Sequence, residues 1–169
     1  MPAMALGDRN GLYGVARFHT AADRSGIKAH IGAEIAVKGL GSRLMPPKWL
    51  PHQCTEEPPR VLLLCASQAG YQNLSQLITR FKMREPTKAE GAATLDDLEE
   101  FSSGLICMTG GDEGPLASAL ARGGTLEARK TAEKLTGIYG RGNLYIELQR
   151  HQQREEECRH LASGTQMPR

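Results

Sequence analysis

The chain has 169 residues and 18.4 kDa, is 40% hydrophobic and 24% charged, and balances 21 Lys and Arg against 19 Asp and Glu for a net charge of +2. That composition suits a soluble globular domain with a core and excludes a disordered chain. The charges are also even along the chain, with 8 basic and 5 acidic groups in residues 1–60, 8 and 10 in 61–140, and 5 and 4 in 141–169, so no segment is a basic arm built to hold nucleic acid.

Ala3 to Leu6 is a short apolar run that reads as the end of a strand, and Asp8-Arg9-Asn10-Gly11 after it is a turn signal. A helix is predicted over Leu12 to Ser25, with Val15, Phe18 and Ala22 on one face and Gly26 as its stop. Ile27 to Ile31 reads as a strand, followed by Gly32-Ala33-Glu34. Residues 38–59 hold five prolines and Trp49, and are predicted to form a long loop. Arg60 to Ala66 is a buried strand of Val and Leu. The next helix, Gln68 to Lys82, places Tyr71, Leu74, Leu77, Ile78 and Phe81 on one stripe. Residues 84–93 form a polar linker, and Thr94-Leu95-Asp96-Asp97 resembles a capping box opening a short helix to Phe101. A short strand follows over Leu105 to Met108, then helices over Pro115 to Ala121 and Thr125 to Tyr139, the second with Ala128, Ala132 and Leu135 on one face. Asn143 to Leu148 reads as a strand and Gln152 to Ala162 as a helix, with the last seven residues frayed. Strands alternating with helices predict an α/β fold with a largely parallel sheet, open or barrel-like.

No apolar run approaches the roughly 20 residues that a membrane helix needs, and Met1 to Asp8 lacks the basic start of a signal peptide. The four cysteines, Cys54, Cys65, Cys107 and Cys158, form no CxxC pair. Cys65 and Cys107 lie in apolar runs and read as small core residues. Reduced thiols and a cytoplasmic location are the expectation.

In parallel α/β folds, sites form at the carboxyl ends of strands. Asp8, Glu34 and His151 are the metal-ligand types that fall there. Two carboxylates and an imidazole suit Mn²⁺, Zn²⁺ or Fe²⁺, which can activate water for phosphoester hydrolysis. On the residues alone a blander account is favoured: Asp8 caps a turn, Glu34 is solvated and His151 caps a strand end. Asp112-Glu113-Gly114 reads as a solvated acidic turn, and Glu155-Glu156-Glu157 as a solvated helix face. His52-x-Cys54 and Cys158-x-His160 have nothing to pair them into a zinc site. There is no Walker A loop, no GxGxxG and no nucleophile with a partnered His.

Several ordered motifs together resemble the N-terminal PHP (polymerase and histidinol phosphatase) domain of bacterial C-family DNA polymerases. They begin with Asp8-Arg9-Asn10-Gly11-Leu12-Tyr13-Gly14-Val15, Gly26-Ile27-Lys28 and Ile31-Gly32-Ala33-Glu34. Arg60-Val61-Leu62-Leu63-Leu64, Gly70-Tyr71-Gln72-Asn73-Leu74 and Leu77-Ile78-Thr79-Arg80 come next. Gly104-Leu105-Ile106, Thr109-Gly110, Gly114-Pro115-Leu116 and Leu144-Tyr145-Ile146-Glu147-Leu148-Gln149-Arg150-His151 complete the string. The wording around Asp8 and His151 is closest to the error-prone, damage-tolerant branch.

The resemblance implies a distorted (β/α)7 barrel with Mn or Zn at the strand ends. Asp8 matches the family's aspartate ligand, Glu34 the GAE glutamate and His151 the histidine closing ELQRH. The departures are as informative. Arg9 stands where a His is frequent, and Lys82 stands where the family has the "TRAH" histidine. The opening HxH motif would lie before Met1 and the closing D-x-H pair after Ala162. The expectation is a partial PHP domain over residues 1–162 lacking the first and closing strands, with residues 38–59 as an insertion and 163–169 as a tail. Such a piece could come from a truncated or interrupted gene, or from one whose start is placed too far downstream. Its implied role is structural, with a degenerate metal site, inside a polymerase that meets DNA and replication or translesion proteins. A metal-dependent phosphoesterase or 3′–5′ exonuclease module is the alternative, as is a stand-alone interaction protein contacting partners through the Trp49 loop.

Overall fold

The computed structural model describes residues 1–41, 43–45, 55–85 and 91–148. Five strands form the main sheet: β1 (Ala3–Arg9), β2 (Lys28–Ala36), β5 (Arg60–Cys65), β6 (Leu105–Met108) and β7 (Leu144–Tyr145), in the order β1-β2-β5-β6-β7. Two short strands, β3 (Arg43–Met45) and β4 (Thr55–Glu57), pair antiparallel within the proline-rich segment read as a loop. The helices are α1 (Val15–Arg24), α2 (Gln68–Arg84), α3 (Leu95–Glu100) and α4 (Pro115–Tyr139). The predicted helix over 152–162, the frayed tail and His151 lie outside the described residues.

The sheet is mixed, which corrects the expectation of a largely parallel one. β1 and β2 run parallel, as do β6 and β7, but β5 is antiparallel to both β2 and β6. A parallel return from β2 would need a crossover element, whereas an antiparallel one needs only a turn. The ends of the β2–β5 connection are clamped together, with the Val37 N–H donating to the Pro59 carbonyl at 2.9 Å. The apolar run Val61–Cys65 buries Val61 and Leu63 on one face and half-buries Leu62 and Leu64 on the other, and such a run does not show its direction in its sequence.

On the helix-covered face, Ala33, Ile35, Val61, Leu63, Leu105 and Cys107 are essentially inaccessible. They pack with Leu74, Leu77, Ile78 and Phe81 of α2, Leu98 of α3, and Leu135 and Tyr139 of α4. Burying each large side chain of this kind contributes roughly 1.5–3 kcal/mol. The α2 stripe matches the predicted one except at Tyr71, which is exposed. Gly70 takes the inward place because a Cβ there would lie 1.9 Å from the Gly104 carbonyl oxygen. The next residue is turned about 100° round the helix, away from the sheet.

The other face curls. Gly7 and Gly32 are register partners on β1 and β2. Leu62, on the next strand but one from β1, reaches to within 2.8 Å of where a Gly7 Cβ would sit. A Gly32 Cβ would meet the Leu63 carbonyl oxygen at 2.5 Å and Leu64 Cδ2 at 2.6 Å. Two glycines thus make room for β5 side chains to fold over the neighbouring strands.

Helix ends follow the sequence closely. Thr94 and Asp97 form the expected capping box, with the Thr94 N–H donating to Asp97 Oδ2 at 2.8 Å and the Asp97 N–H to Thr94 Oγ1 at 3.2 Å. Arg84, in the last turn of α2, donates to both Asp97 carboxylate oxygens and locks α3 onto α2. The two helices expected after Gly114 are one element broken at Gly123–Gly124, where Gly124 at φ 64°, ψ −157° takes a conformation open only to glycine.

Gly32→Ala is expected to lower stability by about 1–3 kcal/mol in urea unfolding, since its Cβ collides with backbone rather than with a movable side chain. Burial pushes the Asp97 carboxyl up, but the hydrogen bonds from Arg84 and Thr94 outweigh this and hold it below its ordinary 3.8. Its folded value is depressed, so its stabilisation is complete above 3.8 and is lost as pH falls through the lower folded value. Asp97→Asn should therefore flatten the fall of melting temperature below about pH 4, and Asp97→Ala should cost about 2 kcal/mol at neutral pH.

Candidate functional site

The carboxyl ends of β1, β2 and β6 gather at one end of the sheet, and the reversed β5 brings its first residue there. Arg9 pairs in register with Glu34, and Ala36 with Arg60. The β6–α4 loop folds back over this end: the Arg60 N–H donates to the Glu113 carbonyl at 2.8 Å, and the Thr109 N–H to the Tyr145 carbonyl at 3.0 Å. Thr109 is buried, and its Oγ1 accepts from the Glu147 N–H at 3.1 Å. The result is a cleft of about 330 Å³ lined by Arg9, Glu34, Arg60, Glu113, Glu147 and the glycines of the loop.

Charge in this cleft is organised around Arg9. Its Nε lies 3.3 Å from Glu34 Oε2, and its Nη2 donates to Glu113 Oε2 at 2.8 Å. Arg60 Nε approaches the same Glu113 oxygen at 3.9 Å, while Arg60 Nη1 is buried without a hydrogen-bond partner among the described residues. One guanidinium therefore joins the ends of β1 and β2 to the β6–α4 loop.

Asp8 is placed differently from Glu34. Side chains alternate along a strand, so Asp8, a register partner of the fully buried Ala33, projects from the opposite face to Arg9 and Glu34. Its Oδ2 accepts from the Gly14 N–H at 2.6 Å, just ahead of α1. Asn10, at φ 49°, secures the turn between them: its Oδ1 accepts from the Ala36 N–H and its Nδ2 donates to the Gly91 carbonyl, each at 3.0 Å. Lys82 Nζ donates to the Tyr13 hydroxyl and sits 4.8 Å over that ring.

Of the three expected metal ligands, Glu34 lines the cleft, Asp8 faces away from it, and His151 lies outside the described residues. Asp8 and Glu34 as placed do not fit a common metal ion. Among the described residues no group of three or more His, Cys, Asp and Glu side chains could hold one. Among the described residues the thiols are no substitute, because burial pushes Cys65 up to about 11 and Cys107 to about 12, leaving both protonated at neutral pH.

Sequence reasoning missed Arg60, Glu113 and Glu147 as cleft residues. A charged residue opening an otherwise apolar strand was the signal for Arg60, but a parallel reading of that strand sends it to the wrong end of the sheet. Glu113 looked like part of a solvated turn, although the flanking glycines allow the loop to fold back against Arg60. Glu147 sat inside the motif ending at His151 without drawing notice.

Comparison with known proteins agrees with the motif string. The PHP domain family model matches residues 1–151. The chain is 32% identical to the DNA polymerase III subunit alpha of Caulobacter vibrioides over 89% of its length, and 28% identical to that of Vibrio cholerae over 93%. It is 31% identical to the error-prone DNA polymerase of Mycolicibacterium paratuberculosis over 99% of its length. It spans only 12%, 12% and 15% of those three relatives, respectively. With the mixed α/β sheet and the matched motifs, this shows that the chain belongs to the PHP domain family.

Proposed function

We propose that the chain is a structural PHP module of a DNA polymerase of the error-prone, damage-tolerant branch, with a degenerate metal site. The observation that carries this reading is the placement of Asp8 and Glu34. They lie on opposite faces of the sheet, one engaged by the Gly14 N–H and the other by Arg9. A catalytic metal requires several ligands converging on one point with an open position, and these two carboxylates diverge. Asp8, Glu34 and His151 are then what is left of a ligand set for Mn or Zn.

In this reading the module spans residues 1–162, with residues 38–59 as an insertion and 163–169 as a tail. Its sheet is part of a distorted (β/α)7 barrel. The reach of Leu62 across to Gly7 supports the barrel, because a flat sheet keeps side chains of alternate strands apart. Contact with DNA and with replication or translesion proteins would come through a full-length polymerase in the cytoplasm. The net charge of +2 gives the chain itself little electrostatic attraction for nucleic acid. Among the described residues no helix is long and apolar enough to cross a membrane.

The test is metal content after exhaustive dialysis of the purified 169-residue chain, measured by inductively coupled plasma mass spectrometry. The expected result is no stoichiometric Mn or Zn and no His151-dependent hydrolysis of a generic phosphoester. One retained equivalent of either metal overturns the reading.

A further inference from the structure

We infer that Arg9 is the resident cation of the cleft: its guanidinium holds Glu34 and Glu113 together and keeps a divalent metal ion out. This rests on the reading of the site as one without a bound metal and adds the residue responsible. The two carboxylates belong to segments far apart in sequence, β2 and the β6–α4 loop. Both nevertheless lie within 3.3 Å of one guanidinium, at 3.3 and 2.8 Å. Like charges held that close repel unless a positive charge lies between them. A divalent cation with oxygen ligands is one solution, and a guanidinium, whose rigid fork presents several N–H donors, is another. Here the fork supplies its Nε to Glu34 and its Nη2 to Glu113.

Two further features favour the guanidinium. Arg60 stands beside the same Glu113 oxygen at 3.9 Å, so an incoming metal ion would face a second fixed positive charge. Arg9 also projects from the end of β1 with its side chain 62% exposed, and is not part of the core. Its role is therefore electrostatic, and it can be replaced without opening a cavity.

The experiment compares the wild-type 169-residue chain with Arg9→Gln, Arg9→Lys and the double variant Arg9→Gln/Glu34→Gln. Melting temperature is measured with EDTA and with millimolar MnCl2, and Mn²⁺ affinity is read by electron paramagnetic resonance of free Mn²⁺. The wild type and Arg9→Lys are expected to show no Mn²⁺-dependent shift. Arg9→Gln should melt a few degrees lower in EDTA, recover in MnCl2 and bind Mn²⁺ at least about tenfold more tightly than the wild type. The double variant should lose that gain. If Arg9→Gln gains no Mn²⁺ affinity while the wild type also binds none, the assignment of Arg9 fails and the metal-free reading stands. A wild type that binds Mn²⁺ as tightly as Arg9→Gln sinks both. Should Arg9→Gln not fold, Mn²⁺ uptake by Arg9→Lys beyond the wild-type level refutes the inference by itself.

Discussion

The reversed strand β5 is the constraint on which the rest of the molecule hangs. It lies in the middle of the five-stranded sheet and pairs antiparallel on both sides. Its alternate residues Val61 and Leu63 are completely inaccessible and sit at the centre of the core beneath α2. Because its direction opposes its neighbours, its first residue, and not its last, meets the carboxyl ends of β1, β2 and β6. Arg60 is delivered to the cleft for this reason. A parallel strand with the same sequence would bury the same leucines and place Cys65 there instead.

The curl of the sheet follows from the side chains that β5 presents to the other face. Leu62 and Leu64 need volume that Gly7 and Gly32 release by having no side chains. The curl gives the two faces distinct tasks. The helix-covered face is apolar and closely packed, while the concave face carries the charged residues at its rim. Strand alternation then decides which carboxylate goes where. Asp8 and Glu34 lie on neighbouring strands, one register step apart, and that single step sends them to opposite faces.

Much of this was legible in the sequence where local chemistry decides the outcome. The Thr94–Asp97 capping box, the break at Gly123–Gly124 and the Leu74, Leu77, Ile78, Phe81 stripe all follow from short-range rules about caps, glycine and helical period. The family resemblance was also legible, because ordered motifs survive where overall identity is modest. Quantities set by long-range packing were not legible. The direction of Arg60–Cys65 depends on how its connection closes, and Tyr71 turns outward because Gly70 must approach Gly104. Motif matching assigned Asp8 and Glu34 a shared role by position in the chain, which carries no information about the face each occupies. Asn143 to Leu148 read as a full strand but pairs only over Leu144–Tyr145, after which the chain is tied by the Glu147 N–H to Thr109.

Two kinds of interaction meet in the cleft, ion pairs and backbone hydrogen bonds. Solvent-accessible ion pairs contribute about 0–1 kcal/mol each, and these pairs join an exposed Arg9 to a half-buried Glu34 and a half-buried Glu113. They add to the hold on the β6–α4 loop but are not its main source. That role falls to the backbone bonds from Arg60 to Glu113 and from Thr109 to Tyr145, and to the buried Thr109 side chain. The backbone brings Glu113 to the cleft whatever the charge state of its neighbours. Once there, its carboxylate faces Glu34, and Arg9 offsets the repulsion. The loop geometry is thus the cause and the charge pattern the consequence.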